Sequence, residues 1–534
     1  MSQPQAPIRR IVSLLPCAIL AVLFGYGVVS LPGLVERWGV TLAGVLVLSG
    51  WVLLASFAMP LIRFGRSRKV IFVLLVAALV LRVAFAALYV SRTPQGDAQS
   101  YMTLASSLLA GQGFHIAEPF LGLDTRALFP PLYPLVLAGW GAVAGFSIAS
   151  LLVLNTAIDL AAAAMLLLLG EWFGNPGAGR GAAWLYLIWP SVLFSAPLAQ
   201  KEGLCALLVI ALAVAWVKAI TARRVMTAAT IGVLAGLLAL TQPGFAPLAG
   251  LFGLVLVSRS GFMRLMRTGL LAAPVACLVL LPWWVRNWLV LGAFVPLTSS
   301  SGVGLWIGNN PGATGNWMAP PASWRGLPEL EYSRRAGAVA RAWITAHPAD
   351  FVRLTLAKFA RSCGVGHFGL VRLTAMHPPV SARLTALLLP LSQGAHLLML
   401  GVATIAAWAG RSRASVPLLL VAACGLQAMV FGVWFEFGER HREFATPFLL
   451  LLVCAAVEGL RCRSPVEPSV DRPLTAADDE QVETAQEHRE VCASLMLRAP
   501  KAVAFQVGQA ERANLMPQQD RELGRGERDD HGDN

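Results

Sequence analysis

Charge is scarce in this chain. Asp, Glu, Lys and Arg together make up 13% of 534 residues, while 56% are hydrophobic. Soluble globular chains carry about a quarter charged residues, which excludes a single water-soluble core for this much apolar sequence. Paired cysteines are also missing. None of the eight cysteines belongs to a CxxC pair or shares a zinc-like spacing with histidine. Cys17, Cys205, Cys277, Cys424 and Cys454 lie inside apolar runs, where a thiol packs as a small hydrophobe. Cys462 and Cys492 lie at or beyond the last apolar run; Cys363 alone falls in the long loop 291–383, which excludes a disulfide within that loop. No cleavable leader is apparent: the first apolar run, Ile11 to about Val35, is longer than a signal-peptide core and lacks a small-residue cleavage site, so it reads as a retained anchor. No tandem repeat is present.

Apolar runs of about 20 residues match the thickness of a bilayer core. Each must be helical, because lipid offers no partner to a free backbone N–H or C=O. Runs fall at about 11–33, 40–62, 70–90, 150–170, 181–199, 203–218, 225–240, 243–258, 268–290, 384–409, 415–435 and 444–460. The expectation is an all-α integral membrane protein, a polytopic bundle of about 12 spans. A further stretch, 131–146, is too short to cross and reads as a re-entrant or interfacial helix.

Orientation supports that reading. The formal net charge is +13, which in a soluble chain would point to nucleic acid. Here the basic residues sit in short clusters between apolar runs, the pattern of cytoplasmic loops, so no nucleic-acid partner is expected. The clusters are Arg9 and Arg10; Arg63, Arg66, Arg68 and Lys69; Lys218, Arg223 and Arg224; Arg259, Arg264 and Arg267; Arg411 and Arg413; and Arg461 and Arg463. All fall on the cytoplasmic side only if 131–146 does not cross. The chain then divides into an N-terminal hairpin (1–62), a transmembrane core (63–290) with first outer loop 91–130, a large outer loop (291–383), C-terminal spans (384–463) and a polar, mostly disordered cytoplasmic tail (464–534). The expected location is a bacterial plasma membrane, with loops 91–130 and 291–383, the Gln200–Glu202 turn and the Glu436–Glu443 turn facing the periplasm or outside.

Those outer segments hold the residues that can do chemistry. In the first loop, Asp97, Tyr101 and Ala105 lie on one face of a short helix, and Asp97 fits its N-cap as well as a catalytic carboxylate. Arg126 precedes the Phe129-Pro130-Pro131-Leu132-Tyr133-Pro134 entry to the short helix; it can contact a substrate or simply reach lipid headgroups. Lys201 and Glu202 open a span, as a local ion pair or as functional charges. Arg286 and Asn287 end the span at 268–290, beside tryptophans that suit the interface. The run Gly308-Asn309-Asn310-Pro311-Gly312 can offer amides to a sugar or phosphate, or serve as a plain turn. Arg440 and Arg442 can clamp a phosphate, unless Glu436, Glu439 and Glu443 hold them in an internal salt-bridge network.

In this order the landmarks resemble glycosyltransferase family 39, a group of GT-C membrane enzymes that includes the protein O-mannosyltransferases and the lipid A aminoarabinose transferase. The matching pieces, within about residues 70–460, are Gly96-Asp97…Tyr101…Ala105…Gly111…Gly113-Phe114, Phe129–Pro134, Glu202, Pro282-Trp283…Arg286-Asn287, Gly308-Asn309-Asn310-Pro311…Thr314-Gly315 and Arg440…Arg442…Pro447. The resemblance implies a GT-C-like fold and an inverting transfer from a polyprenyl-phosphate sugar to an acceptor hydroxyl. It implies Asp97 as general base. Lys201, Arg286, Arg440 and Arg442 would then stabilise the leaving phosphate, with Glu202 orienting the acceptor or a cation, and Tyr101, Arg126, Asn287 and Asn309 as further substrate contacts. Many relatives carry a second acidic residue near the first. Gln99 stands there instead, so neither a metal nor another cofactor is expected. The acceptor class stays open among protein, glycolipid and polysaccharide. Competing readings are a transporter or flippase for lipid-linked saccharides, which would place charges near the bilayer midplane as Asp159 is, and an inactive scaffold of the cell envelope.

Overall fold

The computed structural model describes residues 6–64, 68–118, 121–221, 225–409, 415–432 and 439–461. Glu436, Arg66, Arg223, Arg224, Arg411, Arg413, Arg463 and the tail 464–534 lie outside the described residues. The structure is 78% helical and nearly without sheet.

Five helices are long and apolar enough to cross a membrane: Lys69–Ala87, Ile148–Trp172, Glu202–Ile220, Phe262–Leu291 and Ala382–Ala409. A sixth is available if Leu14–Val29 and Leu31–Trp38, bent by 40° at their junction, count as one span. Shorter apolar helices cover Leu42–Ser56, Leu132–Ala144, Val225–Thr241, Pro243–Leu256 and Val416–Val430. The sequence expectation of about 12 full-length spans therefore meets a bundle of mixed lengths. Proline explains one break: the apolar run 181–199 is two helices, Pro176–Leu187 and Pro190–Ser195, with extended Trp189 before Pro190. Leu132–Ala144 has 13 residues, about 20 Å of helix against a ~30 Å core, and packs on the first-loop helix.

Close glycine contacts set the tightest turn of the bundle. A Cβ on Gly170 would lie 2.5 Å from Gly179 Cα, so Ile148–Trp172 and Pro176–Leu187 approach only because neither residue has a side chain. Asn175 joins them and caps the second helix by accepting from Ala178 N–H. The N-terminal helix Ala6–Val29 packs along Ala395–Ala409, and Gly27 abuts the Gly364 carbonyl.

One charged pair lies within the apolar bundle. Arg82 Nη1 is 2.7 Å from Asp159 Oδ2; Tyr186 donates to the other Asp159 oxygen at 3.2 Å, and Arg82 also donates to Leu187 O. Both side chains are almost wholly buried, and only mutual pairing makes such charges tolerable there.

The loop 291–383 folds into helices Ser301–Gly308, Glu329–Ala346, Pro348–Gly364 and Phe368–Thr374. Trp306, Trp324 and Tyr332 form a small core that also takes in Leu121, Leu123 and Leu128 of the first loop. A two-residue antiparallel pairing joins Thr93 to His377 and Pro94 to Met376. The loops 91–130 and 291–383 are thus one packed layer.

Candidate functional site

Gly96 enters the helix Asp97–Leu109 with φ +71°, a conformation that favours glycine. It occupies the N-cap position, which corrects the sequence expectation for Asp97. Asp97 is the first helical residue and makes no capping hydrogen bond. Its carboxylate instead meets the Arg440 guanidinium in an ion pair spanning 343 residues of sequence. Both side chains are partly exposed, at 29% and 23%, so the pair sits at a boundary that solvent or substrate can reach.

Lys201 and Glu202 stand beside it without pairing to each other. The Lys201 ammonium lies over the Tyr101 ring, 5.7 Å from its centroid. Tyr101 is buried edge-on against Phe129 and Tyr133, and its hydroxyl has no partner. Burial, with Asp97 and Glu202 nearby, holds its phenol well above the ordinary value, so it stays a donor. Glu202 Oε1 is 2.8 Å from Arg372 Nη2, while Glu202 Oε2 is buried without a partner. A small cavity of about 10 Å³ is lined by Lys201, Glu202, Cys205, Gln242, Phe245, Arg440 and Phe444.

Of the sequence candidates, Asp97, Tyr101, Lys201, Glu202 and Arg440 come together here. The others do not join them in a shared contact. Arg442 donates to Val365 O at 2.8 Å and lies 2.9 Å from His396 Nδ1. Arg286 donates to the Arg126 and Phe114 carbonyls at 2.6 and 2.9 Å, and to Asn287 Oδ1 at 3.0 Å, with its guanidinium over the Trp283 ring. Asn287 is wholly buried and donates to Val295 O. Asn309 is wholly buried too; it donates to Leu305 O and accepts from Lys358 Nζ at 3.2 Å. Arg126 has an exposed side chain, and its backbone N–H donates to Glu329 at 2.7 Å. These groups fasten the outer layer, where the sequence reading placed substrate contacts.

The expected internal network of the 436–443 turn is also redrawn. Glu439 faces His367 Nδ1 at 2.7 Å and accepts from Phe368 N–H at 2.8 Å; within the turn it lies 4.0 Å from Arg442. Glu443 makes no such bond. Burial, together with Glu202 and Glu439, pushes its carboxyl up to about 7 against the opposing pull of Arg372 and Arg442.

Sequence reasoning missed Arg372, Glu329 and Lys358. Arg372 carried no signal, since it is one basic residue among several in a polar loop. Glu329 accepts from Arg126 N–H, Ala127 N–H and the Ser299 hydroxyl. Arg82 was legible in principle, because an arginine inside an apolar run demands a partner. Among the described residues no group of three or more His, Cys, Asp and Glu side chains is arranged to hold a metal ion.

No family model matches the chain, and no curated protein matches it. Among solved structures it is similar to the archaeal oligosaccharyltransferase AglB from Archaeoglobus fulgidus in complex with an inhibitory peptide and a dolichol-phosphate. That likeness has 14% identity and a TM-score of 0.44 over 80% of this chain and 55% of that one. The apo form of the Archaeoglobus fulgidus oligosaccharyltransferase gives 14% and 0.45 over 80% and 55%. Its complex with Zn and sulfate gives 15% and 0.44 over 84% and 56%. The chain spans about half the length of these proteins. A likeness this distant carries no argument about activity.

Proposed function

We propose that this chain is a membrane glycosyltransferase that moves a sugar from a polyprenyl-phosphate carrier to an acceptor hydroxyl at the outer face of a plasma membrane. The observation that carries the proposal is the Asp97–Arg440 pair, with Lys201 and Glu202 beside it at the opening of a span. One carboxylate and two cations are the minimum that such a transfer needs.

In the resting state the Arg440 guanidinium holds the Asp97 carboxylate in an ion pair. A phosphate entering beside Lys201 and Arg440 competes for the guanidinium, which binds phosphate oxygens as a fork. Asp97 is then released to take the proton of the acceptor hydroxyl. The acceptor oxygen bonds to the anomeric carbon as the bond from that carbon to the phosphate oxygen breaks. Configuration inverts, and polyprenyl phosphate leaves as an anion held by Lys201 and Arg440. Positive charge in a partly dry site stabilises that leaving group more than it would in water. Tyr101 supports Lys201 from below, and Glu202 orients the acceptor. Arg286 acts at one remove, holding the first loop by its Phe114 and Arg126 carbonyls.

The transporter reading gains nothing from Asp159. Its carboxylate is fully engaged by Arg82 and Tyr186, the pattern of a structural ion pair. The test is transfer from a polyprenyl-phosphate sugar by purified chain carrying Asp97→Asn. Loss of transfer with the fold kept is expected; undiminished transfer removes the base and with it the proposal.

A further inference from the structure

Behind the site lies a second, larger cavity of about 30 Å³, and Glu202 is in the wall of both. Asn155, Asp159, Gln200, Glu443 and Thr446 also line it. The transferase reading makes no use of this space.

Its charges do not balance. Three carboxylates, those of Asp159, Glu202 and Glu443, line the cavity. Two guanidiniums face them. Arg82 is bonded to Asp159 at 2.7 Å, and Arg372 lies 2.8 Å from Glu202 Oε1. Glu443 has no ion pair, and Glu202 Oε2 has no hydrogen-bond partner although Glu202 is only 8% exposed. The other nearby charges are directed elsewhere: Glu439 to His367 and Phe368 N–H, Arg442 to Val365 O and His396, and Lys201 to the Tyr101 ring and the first cavity, outside the wall of this one. One negative charge is left over, with an unpartnered carboxylate oxygen and neutral side-chain oxygens along the same wall. A buried acceptor without a donor is costly, and a buried charge without a partner more so.

We propose that this cavity holds one monovalent cation, bound between Glu202 Oε2 and Glu443 with the side-chain oxygens of Asn155, Gln200 and Thr446 as neutral donors of electron pairs. Sodium, potassium and ammonium share this chemistry. A divalent ion would overcompensate the single surplus charge. The inference shares Glu202 with the transferase reading, but its test reads cation-dependent stability and needs no transfer.

The test uses the purified full chain in nanodiscs, with N-methylglucamine chloride holding ionic strength constant at about pH 8, where carboxyl groups are ionised. Sodium, potassium and ammonium chlorides are titrated in turn while the unfolding midpoint is read from tryptophan fluorescence. At least one is expected to raise the midpoint saturably, by about 2–4 °C, and comparison of the three identifies the ion. Glu443→Gln is expected to abolish that rise. An unchanged rise in Glu443→Gln, or no rise with any of the three ions, overturns the proposal. Should the variant fail to fold, retention of radioactive sodium or rubidium by the unmodified chain decides. About one equivalent per chain supports the site, and none for either ion overturns it. Stabilisation by acid alone, without any cation dependence, means that a proton neutralises Glu443 and also overturns the proposal.

Discussion

Arg440 and Arg286 are the same residue type at two places in one molecule, and their surroundings differ in kind. Arg440 meets a carboxylate on another segment, at a partly exposed boundary beside a cavity. Arg286 donates to two backbone carbonyls and a side-chain amide, with an indole face beneath it. A charge-to-charge contact can be exchanged for another anion of equal or greater charge. Bonds to backbone carbonyls cannot be exchanged without moving the loop that carries them. A guanidinium near a membrane surface is thus a candidate ligand only where its partner is replaceable.

Four measurements break or sharpen this comparison. The largest effect belongs to the exchangeable side. Asp97→Asn should lower transfer by about 10²–10⁴-fold, the usual contribution of a general base, with little change in thermal stability. Equal losses of activity and stability would erase the distinction. Next, Arg286→Ala should destabilise the fold by about 2–3 kcal/mol, because three hydrogen bonds go at once and two carbonyls are left bare. A thermal midpoint like that of the wild type would show that the first loop does not depend on it.

The third concerns Lys358, wholly buried, where it donates to Gly308 O and Asn309 Oδ1. Burial pushes its ammonium down to about 7. An unfolded lysine titrates near 10.4, so between about pH 7 and 10 the unfolded chain binds the extra proton and stability rises with pH. From pH 7 to 9 the gain should approach, and not exceed, about 2–3 kcal/mol. Lys358→Met should flatten that part of the pH profile in thermal unfolding. The smallest effect is that of Trp283→Phe, which keeps the ring but removes the Nε1–H bond to Leu297 O, a loss of about 1 kcal/mol. Unfolding midpoints of the two proteins check it.

Local rules read much of this molecule from its sequence. The helical apolar runs and the short helix at 132–144 follow from hydropathy and length, whereas the helix start at Asn175-Pro176 lies five residues ahead of the apolar run expected from 181. The gathering of Asp97 with Lys201, Glu202 and Arg440 follows from placing span ends on one side. What could not be read is which of several like groups pairs with which. Glu202 faces Arg372 rather than Lys201, and Asn309 faces Lys358 rather than solvent. Both choices depend on how the loop 291–383 folds over the first loop, and no periodicity encodes that. Gly308-Asn309-Asn310-Pro311 has the composition of an exposed turn, yet its two amides are buried because Trp306, Met318 and Lys358 pack around them.

The pairing of Thr93 with His377 bears on how the chain is made. A ribosome that has just released the first outer loop into the translocon must still synthesise some 284 residues before that loop's partner strand exists, and more again before Arg440 arrives. A nascent or prematurely terminated chain can thread its early helices into lipid and still lack any assembled centre. The ion pair of Asp97 with Arg440 therefore forms only when the chain is nearly finished.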